Sequence, residues 1–366
     1  MKEIFYSLGL MSGTSLDGID ASIIKSDGEN FIKIIDNMHF EYDYQFKSKL
    51  KKTVNTVISK KQFSTLLEKI KKIEEELTLK HAEACKLIIK KNKNIKIDFL
   101  GFHGQTILHR PNKGYSIQIG NSNLLSKIMN IPVISEFRKN DILNGGQGAP
   151  LAPLYHQVIL NKIKAKLPAV VINIGGISNI TYMKKNKKLI SFDCGPGNYL
   201  IDEWIRKKLR KEFDKNGYQA KKGKVNKKIL KKLLQDPYYK KNYPKSLDVK
   251  YFNLKKLKGL NTKDGSATLS MLTVETILNA INNFKNYPKI LLITGGGRKN
   301  KFIFKNIKKK VKCPIYSVDH FKIDGDYVES QAFAYLSIRS YLKKNITFPN
   351  TTGVKKPCVG GIYFKI

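Results

Sequence analysis

The chain has 366 residues, 41% of them hydrophobic, with 18 Phe and 18 Tyr and a formal charge of +39. That length suits two domains, that apolar content excludes a disordered chain, and no apolar run approaches the ~20 residues of a membrane span. Such a charge would by itself suggest nucleic acid, yet only six of the 68 basic residues are arginine, the side chain that base readers depend on. The expectation is a lysine-rich surface with weak attraction for anions, and no nucleic-acid or membrane partner.

The N-terminal segment, with its short apolar patch from Ile4 to Met11, reads as a first β-strand and not as a signal peptide. The cysteines (Cys85, Cys194, Cys313, Cys358) are far apart and form no CxxC pair, which argues against structural zinc and a disulfide framework. A cytoplasmic protein is expected. After the first strand comes Ser12-Gly13-Thr14-Ser15-Leu16-Asp17-Gly18, and then a second strand from Ile19 to Lys25. The turn, counted from Gly13 through Ile19 and Asp20, offers hydroxyls and backbone N–H groups to a phosphate. Asp17 or Asp20 would suit Mg²⁺ held through water. Neither GxxxxGK[ST] nor GxGxxG after a strand occurs, so this is not a Walker or dinucleotide loop.

Residues 44–93 read as two amphipathic packing helices. A strand from Ile97 to Phe102 then ends in Gly101-Phe102-His103-Gly104-Gln105-Thr106, where open α/β sheets bind ligands. His103 serves there either as a general acid or as a hydrogen-bonded structural group. A strand from Ile131 to Ile134 leads to Arg138, which either binds a substrate anion or, the favoured reading, pairs with Asp141, and to the Gly-rich loop 145–151, read as a lobe boundary and hinge. The second half opens like the first: Ala169–Ile174 and Ile180–Met183 form a hairpin around Gly175, Gly176, Ile177, Ser178 and Asn179.

The strongest local signal is ISFDCGPGNYLID at 190–202. A β-prone run delivers Asp193 to the expected end of a strand, Gly195-Pro196-Gly197 turns the chain, and Leu200, Ile201 and Trp204 keep helical spacing. A carboxylate facing a helix N-terminus suits a base beside a phosphate; the alternative is an Asp capping its own turn. Cys194 reads as a space-filling thiol. No chemistry is assigned to 207–263 beyond Pro244-Lys245-Ser246. A helix 268–284 and a strand 290–294 lead to Gly295, Gly296 and Gly297, which allow a ring to lie close on the backbone as an adenosine floor. A helix 326–341 carries Glu329, and 349–366 reads as a turn-rich strand segment.

GLMSGTSLDGID (9–20), GFHGQT (101–106), GGQGAPL (145–151), NIGGISNIT (173–181), FDCGPGN (192–198), ATLSMLT (267–273), TGGGRKN (294–300) and ESQAFAYL (329–336) occur in order. Together they resemble the anhydro-N-acetylmuramic acid kinases of the sugar kinase, heat-shock ATPase and actin superfamily. The resemblance implies an α/β, two-lobed, actin-like ATPase (ribonuclease H-like) fold with nucleotide in the interlobe cleft. The expected parts are an N-terminal lobe 1–135, a C-terminal lobe 136–345 and a tail 346–366 packing back. It implies ATP and Mg²⁺ as cofactors, 1,6-anhydro-N-acetylmuramic acid as substrate, Asp193 as general base, and a homodimer. Glu329, with His103 and Gln105, is implied at the sugar. Glu136 stands where the family usually has Asp, Cys194 where it usually has Thr, and PKSLD (244–248) is a variant form.

Overall fold

In a computed structural model describing residues 3–366, two mixed sheets carry the fold. One compact unit runs up to Val158 and resumes at Tyr327; the other is Ile159–Asp326. The first two residues of the expected N-terminal lobe lie outside the described residues. No helix among the described residues is long and apolar enough to cross a membrane.

In the first unit, strands β1 (Phe5–Ser12), β2 (Gly18–Ser26) and β3 (Ile32–Glu41) form an antiparallel meander. Strand β4 (Phe99–Arg110) runs parallel to β1, β5 (Tyr115–Ile119) folds back on β4, and β6 (Val133–Ser135) runs parallel to β4. The C-terminal strand Ile362–Phe364 pairs antiparallel with β6. Strand β3 has no forerunner in the sequence reading, because Lys, Asp, Asn and His interrupt its apolar residues and leave most of it half-buried. The expected helices over 44–93 are three: Tyr44–Thr56, Lys60–Thr65 and Leu67–Lys91.

Helix Val328–Tyr341 belongs to this unit, so its bounds take in 136–158 and 327–366 and differ from the 1–135 expected from sequence. The reason is close packing. A Cβ on Gly9 of β1 would stand 2.0 Å from Ser330 O, and one on Gly101 of β4 would stand 2.5 Å from Phe333 O. Only glycine lets the helix settle that near the sheet. Two buried serine pairs then fasten the layers, Ser7 Oγ to Ser337 Oγ and Ser22 Oγ to Ser330 Oγ, each 2.7 Å.

In the second unit, β7 (Ala169–Ile174), β8 (Ile177–Met183) and β9 (Leu189–Pro196) again form an antiparallel meander. Strand β10 (Ile290–Thr294) is parallel to β7, and β11 (Ile315–Ser317) is parallel to β10. Each unit thus pairs its first strand antiparallel with its second and parallel with its fourth, and its fourth parallel with a further strand, β6 in the first unit and β11 in the second: the ribonuclease H-like order. The central strand β7, AVVINI, is buried throughout, as a strand covered on both faces must be. Helices Thr262–Asn282 and Tyr199–Leu209 pack in this core with Ile172, Phe192, Trp204, Ile277 and Ile293. Each such side chain contributes about 1.5–3 kcal/mol by leaving water.

Candidate active site

In the first unit, the loop between β1 and β2 is Gly13–Asp17, while Gly18, Ile19 and Asp20 already belong to β2. Ser12, buried at the end of β1, donates to Gln105 Oε1 at 2.7 Å, and its Oγ lies 2.9 Å from Tyr42 Oη. Leu16 takes φ of 56°, left-handed backbone that a non-glycine residue rarely adopts, while its side chain is buried. Such strain costs roughly 1–2 kcal/mol and persists where surrounding structure imposes it, commonly at ligand sites. Ser15 donates to Asp17, and Tyr42 N–H donates to Asp17 O at 2.9 Å. Asp20 Oδ1 meets His39 Nδ1 at 2.8 Å, a bond that raises the pKa of His39. Two carboxylates among hydroxyls make an oxygen donor set that suits Mg²⁺ carried with phosphate and water. Among the described residues no group of three or more His, Cys, Asp or Glu could hold a metal.

The 101–106 segment is not a strand end as expected. Strand β4 continues to Arg110, with Gly104 at φ of 69° as the register slips against β1. His103 is buried; its Nδ1 donates to Gly104 O at 2.9 Å and its Nε2 accepts from Arg138 at 3.0–3.1 Å. Burial, and then the Arg138 charge, hold its pKa well below the ordinary value, so the ring is neutral. Both nitrogens are engaged, which is the hydrogen-bonded structural arrangement. Arg138 also donates to Gly148 O at 2.6 Å, and Gly148 N–H donates to Asp141 Oδ2 at 2.6 Å, so the expected partners meet on one residue of the Gly-rich loop. Glu136 has φ of 57°, a conformation Asp tolerates better than Glu, and pairs with Lys139. Glu329 sits in the first turn of helix Val328–Tyr341.

In the second unit, Asp193 lies inside β9, three residues before its end, because the strand bulges opposite Ser178–Asn179 and runs on to Pro196. It is 5% exposed. Its Oδ2 accepts from Leu247 N–H at 2.7 Å, its N–H donates to Lys245 O at 3.0 Å, and its carbonyl accepts from Tyr238 Oη at 2.6 Å. Lys245 Nζ in turn donates to Tyr238 O at 3.1 Å and Lys241 O at 2.8 Å, over the Tyr238 ring. Segment 238–247 is therefore a strap that fixes Asp193 at its backbone and at one carboxylate oxygen. Nothing beyond the Pro-Lys-Ser run foreshadows this strap, since a segment of Tyr and Lys has no periodicity. Cys194 is buried, its Sγ donates to Ser178 O at 3.3 Å, and burial pushes its thiol pKa up: a filler, as expected.

The Gly175–Gly176 turn and the Gly295–Gly297 turn come together. Gly175 O accepts from Asn198 N–H at 2.8 Å, and Gly176 O accepts from Gly197 N–H at 2.9 Å, which ties the hairpin to the start of helix Tyr199–Leu209. Gly295, at φ of 75°, has no room for a Cβ beside Asn173 Oδ1, 2.3 Å away, and a Cβ on Gly297 would strike Ile174. Arg298 anchors this turn from behind. Its side chain is 4% exposed and donates to Asp319 at 2.7 Å, to Asp326 at 2.7 Å and to Gly295 O at 3.2 Å. Burial works to raise Asp319, but the bonds from Arg298, Ser317 and Gly325 outweigh it and hold its pKa at about 2.

The profile of the anhydro-N-acetylmuramic acid kinase family matches residues 5–365. An anhydro-N-acetylmuramic acid kinase of Pelagibacter ubique is 46% identical over the full length of both chains, 100% of each. Those of Zymomonas mobilis, at 36% identity over 97% of this chain and 98% of the relative, and of Agrobacterium fabrum, at 37% over 99% of each, are similar over comparable spans. A family profile that spans nearly the whole chain, and relatives matched along almost their entire length, show that the chain belongs to the anhydro-N-acetylmuramic acid kinase family.

Proposed function

We propose that the chain uses ATP to phosphorylate O6 of 1,6-anhydro-N-acetylmuramic acid while water opens the anhydro bridge, giving N-acetylmuramic acid 6-phosphate and ADP in murein recycling. The observation that carries the reading is Asp193, buried on β9 of a chain that the family profile matches over residues 5–365, and held at Oδ2 by the Leu247 amide. In this reading the Asp193 carboxylate takes a proton from the water that attacks the anomeric carbon. The C1–O6 bond breaks, its electron pair stays on O6, and O6 takes the γ-phosphoryl group as ADP leaves. Phosphorylation of the leaving oxygen replaces its protonation, so one carboxylate serves where glycosidases use two.

The loop Gly13–Asp17 and the turn Gly175–Gly176 supply backbone and hydroxyl donors for phosphates, and Gly295–Gly297 the floor under adenosine. Asp17 and Asp20 would hold Mg²⁺ through water; when bound, the ion neutralises phosphate charge. Glu329 and Gln105 are assigned to the sugar side, with His103 held as a structural group by Gly104 O and Arg138. We further assign the enzyme to the cytoplasm, as a homodimer.

The test is ADP release with 1,6-anhydro-N-acetylmuramic acid, run in ¹⁸O-water. The expected product carries the label at C1. Label in the phosphate means plain ATP hydrolysis and removes the reading.

A further inference from the structure

One partly buried carboxylate has no task in this mechanism. Asp202 lies in the first turn of helix Tyr199–Leu209, and among the described residues no hydrogen bond ends on its carboxylate. Burial pushes its pKa up to about 7; Arg206 opposes the rise, while Glu203, Asp214 and Glu212 add to it. Asp202 is half-buried, and a carboxyl to which the protein offers no donor is one that a ligand's donors can complete.

Its position shows what would complete it. Asp202 N–H donates to Asn198 O at 2.8 Å, so the two residues are one helical turn apart on one face. Helix side chains lean toward the N-terminus, which carries the Asp202 carboxylate over the turn that holds Asn198. Asn198 Nδ2 bonds Ile174 O at 3.3 Å and lies 4.0 Å from where a Cβ on Gly296 would stand. From the other side, Asp214 accepts from Gly217 N–H at 2.9 Å, and a Cβ on Gly217 would stand 2.3 Å from Asn300 Oδ1. Asn198 and the 214–217 turn thus abut the two ends of the segment 296–300, and Asp202 lies within reach of both.

We propose that Asp202 binds the ribose of the nucleotide, its carboxylate oxygens accepting from the 2′ and 3′ hydroxyls. This rests on the reading of Gly295–Gly297 as the adenosine floor. A vicinal diol offers two O–H donors side by side, the complement of two carboxylate oxygens. A phosphate does not fit there, because Asp202, Glu203, Glu212 and Asp214 would repel it. The phosphates go instead to the positive end of helix Tyr199–Leu209 and the Gly175–Gly176 turn tied to it. The helix therefore sorts the ligand along its first two turns, anion at the start and diol behind.

The experiment compares ATP, 2′-deoxy-ATP and 3′-deoxy-ATP as phosphoryl donors for the wild type, Asp202→Ala and Asp202→Asn. The wild type is expected to prefer ATP over each analogue by about 10–100-fold in kcat/KM, the range of one hydrogen bond to a charged group. Asp202→Ala should raise KM for ATP by a similar factor, leave kcat near its original value, and use all three nucleotides equally. If the alanine variant does not fold, the isosteric Asp202→Asn carries the comparison and should lose most of the preference. A wild type indifferent to the hydroxyls, or a variant that keeps the full preference, overturns the proposal. Failure of the wild type to bind ATP or ADP at all, read by calorimetry, overturns the adenosine reading beneath it.

Discussion

Asp193 is held at three points, and each has a separable consequence. Replacing it with Asn keeps the Leu247 N–H bond through the amide oxygen, so fold and ligand binding should survive. Removal of the base should lower kcat by about 10²–10⁴-fold with little change in KM for ATP. Steady-state kinetics with a thermal melt check this, and near-normal turnover would show that another group takes the proton. Tyr238→Phe removes only the hydroxyl that bonds the Asp193 carbonyl. It should cost about 1–2 kcal/mol in urea unfolding and reduce kcat several-fold, because the base sits less firmly. A fully active variant would mean that the strap alone suffices. Asp193 was legible in the sequence because an Asp between a β-prone run and Gly-Pro-Gly is a local pattern. Tyr238, Lys245 and the Leu247 amide were not, because what matters in them is proximity across 45 to 54 residues of chain.

At the scale of elements, glycine spacing is the feature the sequence carries best and explains least. The motif TGGGRKN marks a strand followed by a turn, and both are present in β10 and the 296–299 turn. What the motif could not convey is that Gly295, with φ of 75° and ψ of 171°, occupies backbone space that is nearly glycine's alone. Gly295→Ala should therefore cost about 1–3 kcal/mol from backbone strain, with a further loss as Asn173 and Ile174 move aside. Because this turn packs against Ile174, whose carbonyl accepts from Asn198 Nδ2, nucleotide affinity should fall with stability. Differential scanning fluorimetry with and without ADP reads both; an unchanged ADP-induced shift would detach this turn from the nucleotide. Strand ends were the weaker part of the reading. Strand β4 continues eight residues past Phe102, and β9 three past Asp193, because glycine bulges bend a strand without ending it, whereas in sequence they look like stops.

For the whole molecule, the repeated strand order was visible as two glycine hairpins, one opening each half. The place where the chain leaves and re-enters the first unit was not, because it depends on helix Val328–Tyr341 packing on β1 and β4, more than two hundred residues away in sequence. The charge of +39 acts at this scale too. Self-repulsion destabilises a compact chain, and it grows as carboxylates are protonated. Asp319 makes the acid limit specific: its folded pKa of about 2 lies below the ordinary 3.8, so its contribution is complete above ~4 and is lost as pH falls through ~2. Wild-type stability should thus drop steeply between pH 4 and 2. Arg298→Met removes the cation that holds Asp319 and Asp326. At pH 7 it should cost about 2–3 kcal/mol, the scale of lost hydrogen bonds to charged groups, and it should flatten the pH dependence in that window. Added NaCl, which shortens the Debye length to about 8 Å at 0.15 M, should shift the wild-type acid transition to lower pH by screening the repulsion between lysines. Because Arg298 is buried, salt should leave the difference between wild type and variant at pH 7 largely intact. Urea titrations of both proteins at pH 7, 4 and 3, at low and moderate salt, separate the two effects. A variant with the wild-type pH slope would show that Asp319 is not held by Arg298 in solution.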